Sequence, residues 1–343
     1  VNAGIEAMPL EDKVAGLFKV PPESITGVQT VVQAGEGTQN ALAQYPVGGL
    51  IYFQKNIQSE EQIRQMMENT RMYAAPYPMI LAVDEEGGSV ARVASAGIGT
   101  PVDSASAIGA TGDANNAYVA ATTIGSTLNS LGFNLDLAPV ADLASVENSF
   151  MAQRVYGKDA ATAVPFVTAM VQGLTEQNVT PCLKHFPGNG ATAQDVHTGQ
   201  AVSDRTLEQF QAEEFAVFQA GIDAGAPMVM VSLMAAPALT GSNEPCALSK
   251  EVVTDLLRGQ LGFQGVVITD ALNMSAVSEY YGADEAAILA LKAGCDMLLM
   301  PEDFEKAYNG VLQAVRDGVI SEERINDSLR RIYRIKYADR IAE

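Results

Sequence analysis

Both histidines of this chain lie in one short segment, from Lys184 to His197. Asp195 precedes His197 at a spacing that allows its carboxylate to orient or charge the imidazole. Because the ordinary pKa of histidine lies nearest to neutrality, an Asp–His pair suits proton transfer. The run from Pro187 to Gly190 breaks any regular structure and predicts a loop. The segment therefore predicts a mobile loop with a general acid or base. The alternative is a loop that carries one solvated histidine, which a pattern this short also fits.

A second group of candidates shares a position at, or shortly after, the end of a predicted strand: Asp84, Arg92, Arg154, Lys184, His185 and Asp270. Asp270 ends the apolar or β-branched run that starts at Val266, and its sequence neighbours are uncharged. A carboxylate fixed there can act as a nucleophile, a general base or a ligand. Arginine and lysine side chains only donate hydrogen bonds, which suits sugar hydroxyls or a carboxylate. The alternative is that these residues are helix caps or structural ion pairs at the rim of the fold.

The elements that must position these residues alternate along the chain. Strands are predicted at Ala15–Val20, Gly48–Phe53, Met79–Asp84, Asn134–Val140, Thr180–Phe186, Pro227–Leu233, Gly265–Asp270 and Cys295–Met300. Helices are predicted at Ser59–Ala75, Asn115–Leu131, Ala161–Gln177, Leu207–Ala224, Lys250–Leu261, Ala283–Ala293 and from Ser321 to about Arg340. Strands that alternate with helices pair in parallel, so the pattern predicts an α/β fold, a single (β/α)8 TIM barrel. In such a barrel the active site lies at the carboxyl ends of the strands.

An open, doubly wound sheet is the alternative fold. That fold calls for a glycine-rich phosphate loop after an early strand. Neither Gly35-Glu-Gly37 nor Gly188-Asn-Gly190 supplies such a loop. The long connections Glu85–Phe133 and Pro187–Asp204 fall where a barrel carries its functional loops.

The composition favours an acidic globular protein. The 41 acidic and 21 basic residues give a formal net charge of −20, which disfavours nucleic acid and anionic membrane surfaces as partners. No apolar run reaches the ~18–20 residues that span a bilayer, so we predict no transmembrane segment. Cys182 and Cys295 lie in apolar runs and are predicted to be core residues. Two histidines exclude a site with several histidine ligands, and we predict no metal and no cofactor.

Several motifs together resemble family 3 glycoside hydrolases, specifically the β-N-acetylglucosaminidase branch. In chain order they are Val47-Gly-Gly-Leu-Ile-Tyr-Phe53, Asp84-x-Glu-Gly-Gly88, Ala138-Pro-Val-x-Asp142, Arg154, Lys184-His-Phe-Pro-Gly188, Asp195-x-His197, Leu261-Gly-Phe-x-Gly265 and Thr269-Asp-x-Leu-Asn-Met274. The resemblance covers nearly the whole chain. It implies a barrel that removes terminal β-linked N-acetylglucosamine from a glycan or peptidoglycan fragment, with retention of configuration.

The resemblance also implies a role for each candidate residue. Asp270 would be the nucleophile that forms a glycosyl-enzyme intermediate, and His197, assisted by Asp195, would be the acid/base. The sugar would be held by Asp84, Arg92, Arg154, Lys184 and His185. Without a ligand, we expect His197 to lie too far from Asp270 to act in one step.

The sequence departs from the family pattern near these residues and leaves three other functions open. Relatives usually have His-Gly-Asp where this chain has Asn189-Gly190-Ala191, and a second Asp is common at the position of Ala271. One alternative is the β-glucosidase branch, which commonly has tryptophan after the nucleophile, whereas this chain contains no tryptophan. A second is phosphorolysis, because a histidine acid/base repels phosphate less than a glutamate does. The third is a sugar-binding module on a barrel without activity.

We expect one catalytic domain over residues 1–343, without a second domain after the barrel. The first residue is Val1 and not Met, which favours loss of a leader and an extracellular or cell-surface location, with the cytoplasm as the alternative. The natural leaving group and the oligomeric state are not predicted by the sequence.

Overall fold

The computed structural model describes residues 1–337, in which eight parallel strands form one sheet. The strands are β1 (Phe18–Val20), β2 (Gly49–Tyr52), β3 (Ile80–Val83), β4 (Leu135–Asp136), β5 (Thr180–Phe186), β6 (Met228–Val231), β7 (Val266–Thr269) and β8 (Leu298–Leu299). They pair in chain order, and β1 also pairs with β8, with Phe18 opposite Leu298. A parallel bridge between Ile268 and Met297 joins β7 to β8 and closes the sheet into a barrel. The predicted (β/α)8 barrel is therefore confirmed.

The strands are buried along nearly their whole length, which explains their continuous apolar character. Each strand faces the barrel interior on one side and the surrounding helices on the other, so neither face needs polar residues. In β6, for example, every residue from Met228 to Val231 is buried. Because parallel strands all point the same way, their carboxyl ends meet at one mouth of the barrel.

Helices surround the barrel. They lie at Asn2–Ala7, Leu10–Ala15, Pro22–Thr26, Glu36–Gln44, Glu60–Ala74, Arg92–Ser95, Ala105–Ala110, Asn115–Leu131, Ala160–Glu176, Leu207–Ala212, Glu214–Asp223, Pro237–Thr240, Ser275–Ser278, Ala283–Ala293, Phe304–Arg316 and Glu322–Lys336, with a π-helix at Glu251–Gln260 and 3-10 turns at Gln54–Asn56, Asn189–Ala191 and Cys246–Leu248. Ser59 caps its helix by accepting a hydrogen bond from the N–H of Gln62. Within residues 1–337, every helix is either too short or too polar to span a bilayer.

The structure differs from the predicted elements mainly at their ends. The segment predicted as a strand over Asn134–Val140 forms a strand only at Leu135–Asp136, and Val140 makes an isolated bridge with Lys184. The predicted helix Leu207–Ala224 is interrupted at Glu213, whose backbone leaves the helical region. The last helix begins after Ser321 as predicted and ends at Lys336, while Arg340 lies outside the described residues. Cys182 and Cys295 are buried and free, as expected of core residues.

Candidate active site

A buried ion network lies at the carboxyl ends of β3 and β5. Glu86 belongs to a short hairpin after β3, formed by Glu85–Gly87 and Val90–Ala91. The Nζ of Lys184 lies 2.7 Å from Glu86 Oε2 and 3.0 Å from Asp84 Oδ1. Arg154 donates from Nε and Nη2 to the two carboxylate oxygens of Glu86, at 2.9 and 2.6 Å. The barrel thus brings the predicted residues Asp84, Arg154 and Lys184 together with a fourth charged group, the carboxylate of Glu86.

The charges of this network keep one another ionised. Burial raises the pKa of Glu86, but Lys184 and Arg154 outweigh that effect and lower the pKa to about 2. Burial lowers the pKa of Lys184, and the nearby carboxylates of Asp84 and Glu86 more than offset it, so the pKa is raised. The same balance, with Glu86 as the main partner, raises the pKa of Arg154. The network therefore presents fixed charged donors to anything bound at the mouth.

His185 is held in one orientation by Asp142, which follows β4. The backbone N–H of His185 donates to Asp142 Oδ1 at 2.9 Å, and its ring Nδ1 lies 2.8 Å from Oδ2. Asn189 also donates its N–H to Oδ1, at 2.9 Å. Asp142 is 1% exposed, so this pair is shielded from water. Since Nδ1 is occupied by the carboxylate, Nε2 is the ring nitrogen left for another partner.

Asp270 follows β7 and lies next to His185. Its N–H donates to the carbonyl of Val231 at 3.0 Å, which ties the ends of β6 and β7 together. Its Oδ1 accepts from the N–H of Ala271 at 2.8 Å, while Oδ2 lies 3.9 Å from His185 Nε2. No donor within residues 1–337 makes a hydrogen bond to Oδ2. Asp270 is therefore a buried carboxylate with bonding capacity left for a ligand.

Asp195 and His197 form a second Asp–His pair, on the loop after β5. Asp195 Oδ1 accepts from the backbone N–H of His197 at 2.9 Å and lies 2.6 Å from its ring Nδ1. Burial raises the pKa of Asp195, but the hydrogen bonds from His197 and the charges of His197 and Arg154 lower it below its ordinary value of 3.8. Because Arg154 takes part in this balance, the pair lies within electrostatic reach of the buried network. The wide separation expected between His197 and Asp270 stays a prediction.

The base of this loop is packed closely because it contains glycines. Gly188 has a φ of 145°, and a Cβ there would come within 2.8 Å of Glu214. A Cβ on Gly190 would collide with the backbone oxygen of Leu143, in the loop after β4. Further along the loop, the side-chain oxygen of Gln194 accepts a hydrogen bond from the N–H of Val202 at 2.8 Å and joins the two ends of the segment between them. The base of the loop is therefore fixed, and Val196, between Asp195 and His197, is also buried.

Arg92 lies beside Asp84 and forms no ion pair with a carboxylate of residues 1–337. Its backbone N–H donates to the carbonyl of Asp84 at 3.3 Å, and its guanidinium lies 5.8 Å from the centroid of the Phe53 ring. The Nε of Arg92 is buried and has no hydrogen-bond partner within the described chain. A buried donor without a partner is costly, so this atom favours a bound acceptor.

Three residues of the site were not among the predicted site residues. Glu86 lay inside the Asp84–Gly88 motif, and Asp142 lay after the fourth predicted strand, so both had the signal of a carboxylate that follows an apolar run. Asn189 had no such signal. Its side-chain Oδ1 accepts from the hydroxyl of Ser232, at the end of β6, and this contact depends on tertiary structure alone.

Comparison with known proteins places this site in a family. Residues 10–335 match the family described as Glycosyl hydrolase family 3 N terminal domain. The chain belongs to glycosyl hydrolase family 3. The resemblance found in the sequence is thereby confirmed.

Several relatives of the chain are named for activity on N-acetylhexosaminides. It is 31% identical over 362 residues to β-hexosaminidase A of Pseudoalteromonas piscicida, an alignment that covers 97% of this chain and 58% of that protein. It is 33% identical to a β-hexosaminidase of Stenotrophomonas maltophilia, over 77% of this chain and 80% of the relative. Among solved structures, a glycoside hydrolase family 3 β-N-acetylglucosaminidase from Paenibacillus sp. str. FPU-7 matches with a TM-score of 0.92 and 34% identity, over 98% of this chain and 64% of that one. This chain therefore spans less than two thirds of the length of the Pseudoalteromonas and Paenibacillus proteins.

Proposed function

We propose that this chain is a retaining, exo-acting β-N-acetylglucosaminidase that removes terminal β-linked N-acetylglucosamine. The observation that carries the proposal is the free Oδ2 of Asp270, which is buried beside His185 and near a network of fixed charged donors. Retaining hydrolysis needs a nucleophilic carboxylate on one side of the anomeric carbon and a proton donor at the leaving oxygen. The names of the similar β-hexosaminidases support the choice of sugar.

In the first step, Asp270 Oδ2 attacks the anomeric carbon. The bond from that carbon to the leaving oxygen breaks, and the oxygen takes a proton from Nε2 of His197. Asp195 accepts at Nδ1 of His197, which leaves Nε2 to carry the proton that is transferred. In the second step, the same nitrogen takes a proton from water while the water oxygen attacks the anomeric carbon and displaces Asp270.

The remaining predicted residues hold the sugar in this proposal. Lys184, Arg154 and Arg92 supply N–H donors, and Asp84 supplies an acceptor at the same mouth of the barrel. Nε2 of His185 lies 3.9 Å from Oδ2 of Asp270, which is too far for a hydrogen bond between them. This nitrogen is therefore available to a hydroxyl of the bound sugar.

Hydrolysis of 4-nitrophenyl β-N-acetylglucosaminide tests the proposal, with the matched β-glucoside as a second substrate. We expect the wild type to prefer the N-acetylglucosaminide, and Asp270→Asn to lose activity by a factor on the order of 10⁴ to 10⁶. Proton NMR of the first-formed product should show the β-anomer. An α-anomer as first product would exclude retention, and a wild type no faster than Asp270→Asn would favour a sugar-binding module.

Phosphate in the assay tests the acceptor. With water as the acceptor, adding phosphate leaves the turnover unchanged and yields free N-acetylglucosamine. A sugar 1-phosphate product would identify the protein as a phosphorylase instead.

A further inference from the structure

A cavity of about 570 Å³ opens beside the acid/base loop, and we call it the loop-base pocket. Its wall comes from the loop after β4, the loop after β5 and the start of the helix Leu207–Ala212. The lining residues that matter here are Glu147, Gln194, Val202, Asp204, Arg205 and Gln209. Its volume lies within the ~300–1,000 Å³ that is usual for small-molecule sites.

The loop-base pocket is bounded on one side by the segment that leads into the acid/base pair. Gln194 lines the pocket and directly precedes Asp195, and its hydrogen bond with Val202 closes the base of the acid/base loop. Ala191 also lines the pocket, two residues after Asn189, which is bound to Asp142. In a retaining hydrolysis the leaving group lies on the side of the acid/base, opposite the nucleophile. A leaving group larger than one atom needs space beside the acid/base loop, and the loop-base pocket adjoins that loop at Gln194.

The polar groups in the pocket match a sugar. The side-chain oxygen of Gln194 accepts from Val202, and that of Gln209 accepts from the N–H of Thr206. Both side-chain NH2 groups therefore remain free to donate within the described chain. Carboxylates supply acceptors beside these donors, and a sugar hydroxyl can both donate and accept.

The charge of the pocket is negative. The carboxylates of Glu147 and Asp204 are exposed, and neither has an ion pair or hydrogen bond with a side chain of residues 1–337. Arg205 is the cation in the wall, and its Nη2 lies 2.6 Å from Oε1 of the buried Glu214. Since that pair is neutral as a whole, the two remaining carboxylates set the sign of the potential. The net charge of −20 acts in the same direction.

We propose that the loop-base pocket receives the leaving group and that Glu147 and Asp204 select neutral or cationic leaving groups over anionic ones. The inference rests on the proposed hydrolase function. The favoured class is an N-acetylglucosamine or glucosamine unit of a β-linked oligosaccharide. The disfavoured class is a carboxylate-bearing sugar such as N-acetylmuramic acid, because its charge repels both carboxylates.

Three disaccharides with the same non-reducing N-acetylglucosamine test the inference. Their second unit is N-acetylglucosamine, glucosamine or N-acetylmuramic acid. Each kcat/KM is divided by that of the same variant on 4-nitrophenyl β-N-acetylglucosaminide, which cancels changes in folding and in the chemical step. We expect the muramic acid substrate to be slower than the neutral one by roughly 3-fold to 10-fold at low salt, and the difference to shrink at 0.5 M salt (about 4 Å of screening length).

The double variant Glu147→Gln/Asp204→Asn should bring the three ratios together. Glu208→Gln is the control, because Glu208 is an exposed acid in the helix Leu207–Ala212 and does not line the pocket. We expect that control to keep the wild-type ratios. Wild-type ratios in the double variant, or an unfavoured neutral substrate in the wild type, would overturn the inference while leaving the hydrolase intact. A wild type that cleaves neither the disaccharides nor the chromogenic substrate would instead overturn the proposed function.

Discussion

The site contains two Asp–His pairs of the same chemistry in opposite surroundings. In the first, Asp142 and His185 have side chains that are 0% and 6% exposed, and their closest atoms lie 2.8 Å apart. In the second, Asp195 and His197 are 42% and 49% exposed at 2.6 Å. The hydrogen bond is similar in the two pairs, but only the second is reached by water.

In the proposed mechanism, this difference separates an orienting pair from a proton-transfer pair. Asp142 accepts three hydrogen bonds, from the backbone and ring of His185 and from the N–H of Asn189, so His185 has one orientation. The side chains of Asp195 and His197 are half exposed and can exchange protons with solvent, although Val196 between them is buried. Burial therefore decides which of two chemically equal pairs is suited to act as an acid/base.

The largest effect is expected for His197→Ala. Loss of the proton donor should lower kcat/KM on β-linked disaccharides by roughly 10²-fold to 10⁴-fold, because an alkoxide is a poor leaving group without a proton. The loss on a 4-nitrophenyl substrate should be smaller in the first step, since that leaving group needs less acid catalysis. Thermal unfolding of the variant should match the wild type. Equal losses on both substrates would show that His197 does not act as the acid.

Asp142→Asn should lower activity and stability together. The substitution removes the charge and one acceptor from buried donors, which costs about 1–3 kcal/mol in the free energy of unfolding. A misoriented His185 should also lower kcat/KM by roughly 10-fold to 100-fold, as with other residues that orient a site group. Urea unfolding and steady-state kinetics measure the two effects. An unchanged stability would contradict the buried, orienting role.

Asp195→Asn should lower activity without lowering stability. Because the pair is exposed, water can partly replace the carboxylate, and we expect a fall in kcat of about 10-fold, at the lower end of such effects. Urea unfolding of this variant, measured beside Asp142→Asn, should coincide with that of the wild type. A stability loss as large as that of Asp142→Asn would remove the distinction between the two pairs.

The smallest effect is that of Asp195 on acid stability. Its pKa is lowered in the folded state, so its contribution is present above its ordinary value of 3.8 and is lost as the pH falls through the folded value. Solvent screens this exposed group, so Asp195→Asn should hardly change the pH dependence of unfolding.

The buried Glu86 is the contrast, because its pKa falls from 4.5 to about 2. The wild type should lose stability between those pH values, and Glu86→Gln should flatten that slope in a urea titration at several pH values.

Much of the fold was predictable because its signals are local. Eight apolar runs that alternate with amphipathic stretches determine a parallel barrel, since strands buried on both faces need no polar positions. The ends of elements were less certain: β4 forms over only Leu135–Asp136, although Ala138 and Ala141 further along the predicted run still hydrogen-bond to β5. Ordered motifs also identified the family without any knowledge of distances between their residues.

The sequence by itself determined the barrel, the family and most residues at its mouth, because strand order places the carboxyl ends of the strands together. Tertiary structure alone decided which carboxylates have spare bonding capacity. Asp296 precedes β8 and is fully buried, yet Arg258, Arg331, Ser328 and the N–H of Val267 all bond to it. Asp270 follows its strand instead of preceding it, and no donor within residues 1–337 bonds to its Oδ2. The donors that saturate Asp296 lie far from it along the chain, so only the folded structure shows that Asp296 has its bonding capacity filled and Asp270 does not.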